Sequence, residues 1–432
     1  MKGIAMKKTA LTILLLSAML SLYGCGTQTA EPYAETAPPV TREIGTETEM
    51  QTTATEATTR PPMDYVHSEG GYFNLLEEYP EIEMKGQIGG TCWLFSAAIN
   101  MQTSYRMKNG TSIELDPMEM LDQIYPDEKD EGFIPDEGIN KQEVGGWQWV
   151  VTETLSNGFG DLVMDSSIIL DASDRDAIKE NLHDRGGVSV GVNDTNNRIK
   201  GWFGKYYTLN YTDPQFDHDV TIVGYDDHFP KEYFKKPAEN DGAWIAYNSA
   251  MNNQYFYISY EAPLEYAISH SVSDQYTAVV GYDAGNEQDR YIRTGNATTT
   301  ANVFHHAGTL AAVGTYNDFD EQAVTIAVYD SSFKNLLYSQ EAVLDYHGYH
   351  TITLETPVPV SDCAVAVTYS KGAPVEGETI DCGHMDYVTK AEKGQSFVKI
   401  GGTWRDLTES GIEAELGLDC KPGNCCIKAL YQ

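Results

Sequence analysis

Three side chains have the types and the surroundings for thiol chemistry. Cys92 sits in GQIGGTCWLFS (86–96), where a glycine-rich loop runs into an apolar, helix-like stretch. A thiol at a helix start meets unpaired backbone N–H groups and the positive end of the helix dipole, and both favour the thiolate. The glycines let a substrate carbonyl approach those N–H groups, which could hold the oxyanion formed on attack. A thiolate nucleophile also needs an imidazole to exchange protons and a group to orient that imidazole. His218, in FDHDVTIVGYDD, stands at the mouth of a predicted strand 126 residues after Cys92, and Asn248, in GAWIAYNSA, ends another 30 residues further on. Each has a plainer role available: a buried core cysteine, a strand-end histidine, a turn-capping asparagine. Their order and neighbours together favour chemistry.

These residues must be positioned by a mixed set of elements. Leu94, Phe95, Ala98 and Ile99 recur at helical spacing, and Asn109-Gly110 supplies a stop. Gly145-Gly146 precedes WQWVVTETL, a second predicted helix, and DRDAIKENLHD (174–184) is a third, followed by the strand-like GGVSVGV. VTIVGY (220–225), AWIAY (243–247) and YFYISY (255–260) are rich in β-branched and aromatic residues and read as strands. Helices first and strands after them describe an α+β arrangement. From about 275 onward helical periodicity fades. AVTIAVYD (323–330), YHTITLE (349–355), CAVAVTYS (363–370) and SFVKIGG (396–402) are spaced as in an all-β antiparallel sandwich. The expected division falls at SVSD, giving segments 64–272 and 273–432.

The two ends and the composition narrow the function. The 432 residues suffice for two or three domains. A net charge of −35 argues against nucleic acid as a partner, because counterion release needs a basic face. Residues 1–24 read as a leader: Lys2, Lys7 and Lys8, then ALTILLLSAMLSL, an apolar run too short to span a bilayer as a helix. The leader ends at Leu22-Tyr23-Gly24-Cys25, which resembles a bacterial lipobox, so Cys25 is the expected lipidation site and the first residue of the mature chain. Residues 25–63 then form a spacer; 26–62 hold eleven Thr and five Pro with one aromatic residue, too little apolar surface to fold. As a coil this spacer would reach on the order of 35 Å.

Besides Cys25 and Cys92, five cysteines lie near the end (Cys363, Cys382, Cys420, Cys425, Cys426), with no Cys-x-x-Cys pair and no assignable disulfide pairing. His305-His306 and His347/His350 lack partners at ligand spacing, and the acidic stretch 127–138 lacks the EF-hand pattern and reads as a solvated loop. No nucleotide-binding loop or zinc-protease motif occurs, so neither metal nor cofactor is expected.

Cys-Trp at a helix start, then Asp-His-x-Val-x-x-Val-Gly-Tyr, then Trp-Ile-x-x-Asn-Ser resembles the papain-like cysteine proteases, over about residues 64–262. Gly145-Gly146 resembles the family's Gly-Gly, whose backbone pairs with bound peptide, and GGVSVGV its Gly-Pro-Val-Ser-Val strand. ANVFHHAG, GYHTITL, GQSFVKIGGTWRDL and CCIKALY resemble the lectin-like β-sandwich appended to bacterial members, and the long insert before the Asn248 strand fits the same subgroup. The resemblance implies a two-lobed papain-like fold followed by a lectin-like domain. It also implies Cys92 as nucleophile, His218 as general base and acid, Asn248 as orienter of the imidazole, and a thioester acyl-enzyme. The oxyanion donors would be the Cys92 N–H and Gln87. The chain departs from the family at three places. Gln87 stands five residues before the nucleophile instead of six, with Gly86 at the strict position. Asn248-Ser249-Ala250-Met251 lacks the shielding tryptophan of Asn-Ser-Trp-Gly. Asp219 replaces a small residue that lines the pocket for the side chain preceding the cleaved residue, which suggests a basic or polar preference there.

The expected function is a cysteine peptidase on the outer face of a bacterial membrane, held only by its lipid. Its partners would be a peptide substrate and a carbohydrate or other cell-surface ligand of the β-domain. The alternatives are a catalytically weak or inactive papain-like fold acting as an adhesin or carbohydrate-binding surface protein, and, ranked behind it, a Cys/His amidase of cell-wall peptides.

Overall fold

The computed structural model describes residues 67–432, apart from 69, 84, 127–130, 195–198, 201–205, 235, 252–253 and 286–289. The expected leader, Cys25 and the spacer lie outside the described residues, as does 127–130 of the acidic stretch.

The helix Cys92–Asn109 organises the first half. An unbroken run from Trp93 to Tyr105 is buried, so this helix is enclosed rather than amphipathic. One face, with Phe95 and Ile99, packs on Val188, Val190, Val220, Ile222 and Ile245 of the sheet. The other, with Leu94, Ala98 and Met101, packs on Leu121, Ile124, Val150 and Val151 of the helices Pro117–Ile124 and Gln148–Leu155. Polar residues inside are satisfied: Ser96 Oγ donates to Ser189 Oγ at 2.9 Å and Asn100 Nδ2 to the Ile268 carbonyl at 2.9 Å. The helix stops at Gly110, whose φ of 71° is the left-handed cap that glycine adopts without strain.

The strands of this half are antiparallel neighbours in the order Val163–Leu170, Ala267–Ser273, Val188–Val192, His218–Asp226, Ala243–Asn248, Gln254–Ser259. The sheet does not end at Val163–Leu170. His347–Val360 pairs with its other edge, His347 opposite Ile169 and His350 opposite Ser166, and Gly308–Asn317, Ile427–Tyr431 and Ala278–Val280 follow. Gly348 makes this junction possible: with φ 129°, a Cβ there would lie 2.0 Å from the Ser167 carbonyl oxygen. The sheet therefore passes across the division expected at 272/273.

The second half is an antiparallel sandwich. A six-stranded sheet runs Leu336–Leu344, Gln322–Asp330, Cys363–Tyr369, Thr298–Phe304, Ser396–Ile400, Thr403–Asp406. Its Phe304, Ile326, Val365 and Val367 pack on Leu310, Val313, Leu354 and Ile427 of the long sheet. A third, short sheet pairs Gly132–Pro135 with Met385–Val388. Trp93, Tyr349, Tyr387 and Cys426 share one core cluster. The fold is α+β, followed by an all-β antiparallel sandwich. Among the described residues every cysteine is a free thiol.

Candidate active site

The loop before the helix is folded by its own backbone. Thr91 Oγ1 donates to the Ile88 carbonyl at 2.7 Å, and the Gly90 N–H donates to the Gln142 carbonyl at 2.8 Å. Gly89, at φ 61°, touches that same carbonyl, where a Cβ would stand at 2.6 Å. Thr91 stands at the helix N-cap but its side chain accepts from no helix N–H, and the first turn carries no acidic side chain. Cys92 is half-buried, and the backbone N–H groups of Asp219 and Trp93 favour its charged form. Burial pushes the thiol up to about 12, with the Asp219 carboxylate as the second cause; the N–H groups pull the other way and are outweighed.

His218 opens the strand His218–Asp226 and Asn248 closes Ala243–Asn248. Antiparallel pairing of the two strands, with Thr221 opposite Tyr247, puts the start of one and the end of the other side by side. His218 Nε2 lies 2.8 Å from Asn248 Oδ1. That oxygen also accepts the Ala250 N–H at 3.0 Å, which fixes the amide orientation and makes Nε2 the protonated nitrogen. Ala250, at the position where the papain-like pattern has tryptophan, is exposed.

Gln87 is clamped to the asparagine strand. Its N–H donates to the Ser249 carbonyl at 2.9 Å, its Oε1 accepts from Ser249 Oγ at 2.8 Å, and its Nε2 donates to the Gly89 carbonyl at 2.9 Å. Ser249 thus sets which end of the amide faces the loop. Gly145 has φ 83° and open space where a Cβ would be, while its carbonyl accepts from Tyr125 OH at 3.1 Å. Gly146 lies against Trp93, with a Cβ placed 2.4 Å from the indole, so no larger residue fits.

Asp219 does not present its charge to a pocket, contrary to the expectation drawn from its position. It is 8 % exposed, with one oxygen accepting from Gln148 Nε2 at 2.9 Å and the other from Tyr266 OH. Tyr266 and Gln148 close over it from two other elements. Burial raises its carboxyl to about 6. Gln148 also donates to the Trp93 carbonyl at 2.9 Å, and its Oε1 meets His270 Nε2 at 2.9 Å. His270 is fully buried, which lowers its pKa to about 3 and keeps it neutral, so Nε2 is the donor. Sequence reasoning missed Gln148, Tyr266, His270 and Ser249. Ser249 alone carried a signal, as the second residue of Asn-Ser. Among the described residues no group of three His, Cys, Asp or Glu is placed to hold a metal ion.

Residues 282–431 match the lectin-like domain family. Two solved structures align with most of the chain. One is a clostridial cysteine protease, Cwp84, after propeptide cleavage: 18% identity, TM-score 0.65, 83% of this chain and 98% of that one. The other comprises the cysteine protease and lectin-like domains of Cwp84, a surface layer associated protein of Clostridium difficile: 18% identity, TM-score 0.64, 84% of this chain and 89% of that one. The comparison with curated proteins finds no match. The likeness is one of fold: a papain-like cysteine protease fold with a lectin-like domain after it.

Proposed function

We propose that this chain is a cysteine peptidase whose nucleophile is Cys92. The reading rests chiefly on one arrangement: a thiol at the start of a helix that packs on the strand His218–Asp226, and an imidazole opening that strand whose Nε2 is tied to Asn248 at 2.8 Å. Cys92 Sγ gives its proton to His218 Nδ1 and attacks the peptide carbonyl. The tetrahedral oxyanion is held by the Cys92 N–H and by Gln87 Nε2. The imidazolium then protonates the departing amine, leaving a thioester on Cys92. Water, deprotonated by His218, hydrolyses the thioester and releases the acid. Asn248 keeps the ring in the plane both proton transfers need. Gly145 and Gly146 offer backbone to an extended peptide.

The same proposal places the chain on the outer face of a bacterial membrane through a lipid on Cys25, with the spacer 25–63 between anchor and enzyme. The lectin-like region would bind carbohydrate or another cell-surface ligand. A second reading, a catalytically silent fold serving as a surface binding protein, draws on the burial that holds the Cys92 thiol neutral. An epoxide inhibitor of cysteine proteases separates the two. The peptidase reading expects one covalent adduct per folded wild-type chain, on Cys92, and none in Cys92→Ala; an unlabelled wild type overturns it.

A further inference from the structure

Asp219 stands where its charge bears on the nucleophile. Its carboxylate lies within electrostatic reach of Cys92, where it disfavours the thiolate. The carboxylate cannot swing away, because Gln148 Nε2 and Tyr266 OH each hold one oxygen. The same Gln148 nitrogen holds the carbonyl of Trp93, the residue after the nucleophile. A single amide thus ties the first turn of the helix to the residue after the general base. Gln148 is itself kept in place by His270, whose neutral ring supplies the third hydrogen bond.

We infer that Asp219 is a positioning residue of the proposed peptidase, and that its ionised carboxylate holds Cys92 as a thiol until that carboxylate is protonated or neutralised. Among the described residues no Lys, Arg or His forms an ion pair with it. The groups that face it are Cys92 from the central helix, Gln148 from the next, and Tyr266 and Glu265 from the segment before Ala267–Ser273. His218 precedes it on its own strand. Glu265 adds a second negative charge, and Tyr266 stays a neutral donor because burial and Asp219 both oppose its ionisation. The thiolate and the carboxylate therefore repel each other across a water-poor space, where like charges shift one another's titration by about one unit or more. Burial raises Asp219 to about 6, so the carboxylate changes state within the range of mildly acidic to neutral surroundings. The coupling runs both ways: a neutral Asp219 eases thiolate formation.

The inference rests on the peptidase reading for its meaning, but its test does not need turnover. The rate of Cys92 alkylation by iodoacetamide is measured from pH 4 to 10, following the Cys92 peptide by mass spectrometry. In the wild type the rate profile should carry an added inflection near 6. In Asp219→Asn the inflection should vanish and the thiolate titration should move down by about one pH unit, about tenfold in rate on the rising limb. Tyr266→Phe removes one donor from the carboxylate, so the inflection should move up in pH, and this variant keeps the question open to test if Asp219→Asn does not fold. Profiles of both variants superimposable on the wild type overturn the inference. A wild type that is unlabelled by the epoxide yet shows the shift overturns only the peptidase reading.

Discussion

Gln87→Ala tests whether a glutamine one residue nearer the nucleophile than in the papain-like pattern still serves the oxyanion. Its amide carries two hydrogens, and one is committed to the Gly89 carbonyl at 2.9 Å. The second is directed by Ser249, whose hydroxyl holds Oε1 at 2.8 Å, while the Gln87 N–H to Ser249 carbonyl bond at 2.9 Å pins the loop itself. Removing an oxyanion donor costs about 10²–10³ in kcat. Gln87→Ala should lose that much, with KM little changed, because the interaction is made only in the transition state. Ser249→Ala deletes one neutral hydrogen bond, about 1 kcal/mol, and leaves the backbone clamp, so it should lose about fivefold. The assay is steady-state hydrolysis of a fluorogenic peptide, with thermal melting run alongside. Gln87 is only half-buried, so the melting point of either variant should stay within about 2 °C of wild type. A Gln87→Ala kcat within threefold of wild type would refute the assignment. An equal loss in both variants would show that Ser249, and not the glutamine amide, does the work.

Asn248→Ala removes the acceptor that holds His218 Nε2, and should lower kcat about tenfold with KM unchanged; an unaltered kcat counts against the orienting role. Lys428 and Asp283 form a 2.6 Å ion pair with both side chains 0 % exposed, and Asp283 Oδ1 has no partner among the described residues. Lys428→Met should therefore cost about 3–5 kcal/mol, lowering Tm by about 5 °C, and adding Asp283→Leu should restore most of it; a single variant that melts with the wild type refutes this. Gly348→Ala drives a methyl into the Ser167 carbonyl at a φ of 129°. It should destabilise by about 2 kcal/mol or more and speed amide exchange along Ser166–Ile169, and unchanged exchange there would show that the junction adapts.

The parts of the site legible in the sequence are those whose signals are local. Glycines before an apolar helical run locate Cys92, and a predicted strand end locates each of His218 and Asn248. What joins them to their surroundings is not local. Gln148 and Asp219 are 71 residues apart, Tyr266 and Asp219 47 residues, and Gln87 and Ser249 162 residues. An acidic residue beside a histidine reads as pocket charge until the tyrosine and glutamine that occupy its oxygens are known. The strand Val163–Leu170 escaped notice for a different reason. Its burial pattern does not alternate, because it is covered on both faces and paired on both edges, so its polar Ser166 and Ser167 disguise a central strand. Ser167 is satisfied by Thr152 at 2.7 Å, a partner on another element.

That central strand also explains why a linker-based reading of the domain organisation meets a continuous structure. Composition changes near 273, from helical to strand periodicity, and such a shift ordinarily marks two bodies joined by a flexible connection. Here the first half leaves one edge of Val163–Leu170 unpaired, and an open edge in water is a site for pairing. His347–Val360 fills it. Met385–Val388 likewise pairs with Gly132–Pro135, and Tyr387 packs tilted against Phe133 at 5.0 Å between ring centroids. Tyr349 and Cys426 complete the core that holds Trp93. The indole beside Cys92 is thus supported from the lectin-like side, so truncating the chain after 272 would expose an edge strand and part of the core behind Cys92. Such a fragment should be insoluble or molten, and a folded, epoxide-reactive fragment 64–272 would show that the first half closes its own core.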